Sequence, residues 1–179
     1  MTISQKAKKI WNIASTILVV IVVIFAVLLA GVRLIGLHPY TVLSGSMEPT
    51  YRTGSLIYVK EAKPEEIEVG QAITFVLNED LVVATHRVIE IDEENQRFYT
   101  KGDANQSADG APVHFKNLIG IPLFSIPCLG YVSSYIQSPP GLYVALAAGA
   151  VLLLLLFLPE LLGVTKKGKP AQPETENRS

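Results

Sequence analysis

From Ile10 to Val32 the chain carries no charged residue, and Thr16 to Ala30 is nearly all Ile, Val, Leu, Ala and Phe. A bilayer core about 30 Å thick is crossed by roughly 20 apolar residues in helical form. This segment is therefore expected to span a membrane, and whatever follows it must fold while tethered to lipid. A second run, Gly141 to Leu158, is almost pure leucine from Leu152 onward and is bounded by Pro139-Pro140 and Pro159. It lies nearer the lower limit of about 17 residues for a span. The two runs account for a hydrophobic content of 49% and a mean hydropathy of +0.36, both high for a soluble domain. A cleaved signal peptide is the competing reading of the first run. Its apolar part exceeds the usual h-region of about 7–15 residues and no A-x-A site closes it, so an uncleaved anchor is expected.

Lysine placement sets the expected orientation. Lys6, Lys8 and Lys9 precede the first run, and Lys166, Lys167 and Lys169 follow the second. Short basic flanks are retained on the cytoplasmic side, so both termini are expected inside and the intervening segment outside. That segment, from His38 to Pro140, has thirteen acidic against seven basic residues. Arg33, just beyond the first run, is an exception that can snorkel to the outer interface. The organisation expected is a cytoplasmic N-terminus (1–9), a first transmembrane helix (10–36), an extracytoplasmic domain (37–140), a second transmembrane helix (141–160) and a polar, disordered cytoplasmic tail (161–179).

A chain of 179 residues leaves room for one ordinary domain, and the segment between the spans reads as mainly β. Ser55 to Val59 follows the turn signal Thr53-Gly54, and Gln71 to Leu77 is a second strand-like run. After the break at Asn78-Glu79-Asp80, Leu81 to Ile91 is rich in β-branched residues, and Arg97 to Thr100 suggests the return of a hairpin. Lys60 to Glu68 reads as a solvated loop or short helix. Leu118 to Tyr135 is apolar but interrupted by Pro122, Pro127 and Gly130, which favours short strands or a surface resting on lipid. A net charge of −1 with no basic patch outside the tails gives no reason to expect nucleic acid. Cys128 is the one cysteine, which rules out an intrachain disulfide or a cysteine-built zinc site; a small buried apolar residue is expected there.

The chemistry-bearing residues fall in three blocks. Ser44-Gly45-Ser46-Met47-Glu48-Pro49-Thr50 follows the first apolar run by about a dozen residues and places two hydroxyls just above the expected bilayer surface. A serine hydroxyl is a weak nucleophile until a neighbouring base removes its proton, and imidazole suits that task near neutrality. His86, in Thr85-His86-Arg87-Val88, lies within the strongest strand. His38 borders the anchor, where an interfacial role is expected, and His114 follows the aspartates in a loop. A carboxylate on the far imidazole nitrogen orients such a base. Thr100-Lys101-Gly102-Asp103 and the turn residues up to Asp109 supply two candidates, Asp103 and Asp109. The residues alone leave open which one partners His86. They also leave open a metal site built from His86, Asp103, Asp109 and His114, although no HExxH-like pair exists.

The order SGSMEPT, THRV, TKGDAN and a further aspartate resembles the type I signal peptidases over about Thr41 to Lys116. The closer likeness is to their Ser-His branch, which includes the endoplasmic reticulum, archaeal and SipW-like enzymes; the Ser-Lys branch has lysine where this chain has His86. The resemblance implies a signal-peptidase-like β fold with a minimal catalytic core. It also implies Ser46 as nucleophile, His86 as general base and Asp109 as third member. Asp103 takes a supporting role and Ser44 a contribution to the oxyanion hole, the latter carried over from the other branch.

The implied function is a membrane-bound serine endopeptidase that removes signal peptides from exported preproteins through an acyl-enzyme, without cofactor or metal. Substrate is expected to bind extended beside Leu81 to Ala84 or near Tyr40 to Leu43, with small residues preferred at −1 and −3. Signal peptides and the lipid bilayer are the implied partners, with the export translocon as an associate and no nucleic acid. The endoplasmic reticulum subunit generally has one span, so a second run favours a multi-pass bacterial or archaeal plasma-membrane enzyme. The rival reading is a membrane-tethered, non-catalytic β binding module, which leaves the three blocks unexplained. A self-cleaving repressor-type protease fits less well, because those enzymes are soluble and use lysine.

Overall fold

A computed structural model describes residues 5–77 and 82–161. The basic tail with Lys166, Lys167 and Lys169, and the expected break at Asn78-Glu79-Asp80 with Leu81, lie outside the described residues. The first apolar run forms α1 (Gln5–Leu29), followed by a 3-10 turn at Gly31–Ile35. Within α1, Lys9–Leu29 is long and apolar enough to cross a membrane, and its most apolar stretch contains no buried residue.

The domain that follows is mainly β, as the sequence patterns require. Its strands are β1 (Leu37–Thr41), β2 (Leu56–Glu61), β3 (Ala72–Val76), β4 (Val83–Asp92), β5 (Arg97–Lys101), β6 (Val113–His114) and β7 (Leu118–Ile126). Among the described residues they form one seven-stranded sheet in the order β1-β2-β7-β3-β4-β5-β6, antiparallel at every pairing. Leu56 to Val59 and Ala72 to Phe75 are buried without alternation. That is the pattern of strands covered on both faces.

Leu118 to Tyr135 departs from the expectation of short strands. Its first half is the nine-residue β7, inserted between β2 and β3, and its second half is a helix, α2 (Leu129–Gln137). Two bulges admit this sequence into a sheet interior. The β2 register steps from Phe124 opposite Tyr58 to Pro122 opposite Val59, so Leu123 is the extra residue. A bulge is where a strand tolerates a proline that lacks an N–H. Gly120 permits the close approach of β2, since a Cβ there would lie 2.0 Å from the Lys60 carbonyl oxygen. Cys128, expected to be buried, is exposed instead; it sits with φ at 63° in the turn that leads into α2.

Two apolar clusters hold the domain. Ile67, Ile73, Phe75, Val88, Phe98 and Val113 form the distal core, with Phe98 fully buried. Truncating such a phenylalanine to alanine costs about 3–5 kcal/mol. Val32, Leu37, Leu56, Tyr58 and Leu129 form the second cluster, which joins the end of α1 to the sheet and to α2. There Tyr58 donates its hydroxyl to the Leu28 carbonyl at 2.8 Å. The last carbonyls of a helix lack partners within it, so this bond fixes the sheet to the end of the apolar helix. The second run lies in α3 (Pro139–Leu161), and α2 and Pro139–Leu154 meet at 96°. This bent pair reaches the length and apolarity of a span only when taken together.

Candidate active site

The SGSMEPT block folds as a tight loop between β1 and β2. Met47, only 2% exposed, anchors it from beneath. The Tyr51 N–H donates to the Met47 carbonyl at 2.9 Å, and Glu48 accepts from the Thr53 N–H at 3.2 Å. With its neighbour turned inward, Ser46 stands half-buried at the rim of a groove of about 1010 Å³. One wall comes from Tyr40 to Ser44 and the other from Val82 to His86. Both segments named as places for an extended substrate thus line one groove, apart from Leu81, which lies outside the described residues.

Ser46 Oγ lies 3.2 Å from His86 Nε2, and His86 Nδ1 lies 2.5 Å from Asp109 Oδ2. An ionised carboxylate only accepts hydrogen bonds, so opposite one a neutral imidazole carries its proton on Nδ1 and offers Nε2 to the serine hydroxyl. His86 stands on β4 opposite Ile73 of β3, and the Phe75 ring packs edge-on against it with centroids 6.2 Å apart. Ser44 Oγ is 3.2 Å from Ser46 Oγ. If the Ser46 proton is directed at His86, the Ser44 hydroxyl is left to donate in that contact.

Asp103 stands apart from this series. Its oxygens accept from Arg87 Nε and Nη2, each at 2.7 Å, and Thr50 Oγ1 donates to Oδ2 at 2.5 Å. The Arg87 fork, before any other cause, holds the Asp103 carboxyl below the usual carboxylate range, and the same bond raises Arg87 further. The loop carrying both aspartates is stitched to the serine loop. The Ala104 N–H donates to the Ser46 carbonyl at 2.9 Å, and a Cβ at Gly102 would lie 2.6 Å from that carbonyl oxygen. Glycine at 102 lets the two loops touch.

The remaining histidines are engaged elsewhere. His38, on β1, lies 3.3 Å from Glu61, and His114 Nδ1 accepts from the Lys116 N–H at 3.1 Å. Among the described residues no group of three or more His, Cys, Asp or Glu is arranged to hold a metal ion. Sequence reading gave no role to Arg87, Thr50 or Met47, all of which lie within the quoted blocks and shape the site. It also passed over Thr100, which is 1% exposed and donates to Asp109 Oδ2 at 2.7 Å. A threonine at the buried end of a strand, beside a candidate loop, was the available signal.

The family model for signal peptidase, peptidase S26, matches residues 13–122. The chain belongs to this family. Signal peptidase I W of Bacillus subtilis (strain 168) is 40% identical over 121 residues, which is 62% of this chain and 63% of that protein. The signal peptidase complex catalytic subunit SEC11C of Homo sapiens is 30% identical over 125 residues, 63% of this chain and 65% of that protein. SEC11 of Colletotrichum graminicola is 31% identical over 115 residues, 59% of this chain and 67% of that protein. The chain thus spans a little under two thirds of the length of the Bacillus and human relatives. The signal peptidase match takes in the serine loop, His86 and both aspartates.

Proposed function

We propose that this chain is a membrane-bound serine endopeptidase that removes N-terminal signal peptides from exported preproteins. The observation that carries the reading is the continuous run of contacts from Ser46 through His86 to Asp109 at the rim of an extended groove. Family membership supports the substrate class, and the groove suits an extended peptide added as a strand between two walls. A non-catalytic module would have no use for a hydroxyl, an imidazole and a carboxylate in that order.

The chemistry is acyl transfer. His86 Nε2 takes the Ser46 proton as Oγ attacks the scissile carbonyl, while Asp109 holds Nδ1–H and stabilises the imidazolium that forms. His86 then gives the proton to the leaving amine, and the signal fragment remains as an ester on Ser46. Water, deprotonated by His86, hydrolyses that ester. The Ser46 N–H and the Ser44 hydroxyl meet the charge on the tetrahedral oxygen; one such donor is worth about 2.7–4 kcal/mol. Ser44 donates to the nucleophile at rest and must turn toward the oxyanion as Oγ bonds to carbon. Asp103 supports the site by holding its loop.

In the membrane arrangement we propose, α1 spans the bilayer, the apolar second run supplies another crossing, and the β domain lies on the extracytoplasmic side. The lysine flanks support that orientation, and the second run supports a multi-pass plasma-membrane enzyme of bacterial or archaeal type beside the export translocon. The test is cleavage of a preprotein with alanine at −1 and −3 by the full chain in lipid vesicles. Ser46→Ala and His86→Ala are each expected to abolish processing with membrane insertion intact. Unchanged cleavage by Ser46→Ala would sink the assignment.

A further inference from the structure

We infer that Thr100 is a positioning residue for the reaction, fixing the Asp109 carboxylate so that it presents one defined oxygen to His86. The inference rests on the Ser46–His86–Asp109 reading above. Thr100 ends in a buried position on β5, opposite Val88 and just beyond the bulge that places Ile89 between paired residues. Its hydroxyl donates to Asp109 Oδ2 at 2.7 Å, the same oxygen that receives His86 Nδ1 at 2.5 Å. Its carbonyl accepts the Asp109 N–H at 2.9 Å. Residue 100 therefore grips residue 109 by backbone and side chain together, closing the loop that carries Gly102 and Asp103.

The second donor matters because of how a carboxylate turns. The terminal torsion of aspartate is broad and roughly two-fold, so a carboxylate held by imidazole alone can exchange its oxygens or tilt out of the ring plane. Two donors converging on one oxygen remove that freedom. A carboxylate cannot donate and a threonine hydroxyl has a single proton, so Thr100 is committed to Asp109. Thr100 does not line the groove, which separates its effect from substrate binding.

The experiment compares T100S, T100A and T100V with the parent chain in vesicles, measuring kcat and KM for the alanine-site preprotein. T100A and T100V are expected to lose about 10- to 100-fold in kcat, the worth of a hydrogen bond to a charged group. KM should stay within about twofold, because a loss confined to kcat marks an interaction made for the chemical step. T100S, which keeps the hydroxyl, should recover most of that loss, and T100V added to D109N should cost little more than D109N alone. T100S differs from T100A by the hydroxyl alone, so the comparison survives a failure of T100V to fold. Parent-like kcat in T100A, equal loss in T100S and T100A, a change in KM only, or additivity with D109N would each overturn the inference. S46A in the same series separates the two levels. Cleavage by S46A removes the underlying reading, whereas an inactive S46A beside a fully active T100A removes only the role of Thr100.

Discussion

Asp103 and Asp109 lie in one loop, and each meets one of two adjacent residues of β4, yet the groups they meet differ in kind, and on the function proposed above so does their work. Successive strand side chains project to opposite sides, so His86 and Arg87 point apart and the loop must reach both. Asp109 meets His86, a group that can gain and lose a proton, with a buried threonine beside it. Asp103 meets the Arg87 guanidinium through both oxygens, with a second hydroxyl from Thr50. Arginine keeps its proton and holds a carboxylate bidentately, so in the proposed mechanism that pair fixes geometry and takes no part in proton transfer. Thr50 belongs to the serine loop, so Asp103 ties that loop to β4. The difference teaches that the partner, more than the acid, decides whether a carboxylate serves chemistry or scaffold.

The comparison breaks most sharply at Asp109. D109N is expected to lower kcat by about 10³- to 10⁴-fold while leaving the melting temperature near that of the parent, since an amide disturbs the imidazole tautomer but not the fold. D103N should do the reverse, lowering stability by about 2 kcal/mol with a kcat loss of no more than about tenfold at a temperature where it is folded. Steady-state kinetics beside thermal melts checks both, and an exchange of the two patterns would exchange the roles.

Acid should separate the two carboxylates in a second way. Imidazole bases as a class lose their function in acid at higher pH than carboxylates lose their charge. The Asp103 carboxyl is held down by Arg87, so its contribution to stability is present above the ordinary carboxylate value of about 3.9 and is lost as pH falls through its lower folded value. Activity is thus expected to fall well before the fold does, with the final loss of fold shifted to higher pH in D103N. A single acid transition shared by rate and fold would contradict two separate roles. The smallest effect belongs to T50V, expected to cost about 1 kcal/mol of stability and little kcat; a T50V loss larger than that of D103N would mean that Thr50 acts elsewhere.

Much of the fold could be read because its periodicities are strong. The uncharged run became α1, and β2 to β5 fall where β-branched runs and turn residues put them. β1 escaped notice because Leu37-His38-Pro39-Tyr40-Thr41 contains a proline, which an edge strand accommodates, and β1 is at the edge. The apolar stretch after residue 117 hid both a strand and a helix. Its prolines read as interruptions, yet Pro122 occupies a bulge whose existence depends on the register of β2. The site residues are visible as types in order, but the choice between Asp103 and Asp109 is not, because the strand pairing determines which of them meets His86. Thr100 and Arg87 gain meaning only through contacts that lie 9 and 16 residues away in sequence.

The central claim is that Ser46 becomes acylated by the preprotein. Rapid acid quench of the full chain in vesicles during turnover, followed by proteolysis and mass spectrometry, tests it directly. The account predicts an ester-linked signal fragment on the peptide containing Ser46, absent in Ser46→Ala and sensitive to hydroxylamine. Cleavage with no adduct in either protein, or an adduct on another residue, would contradict it.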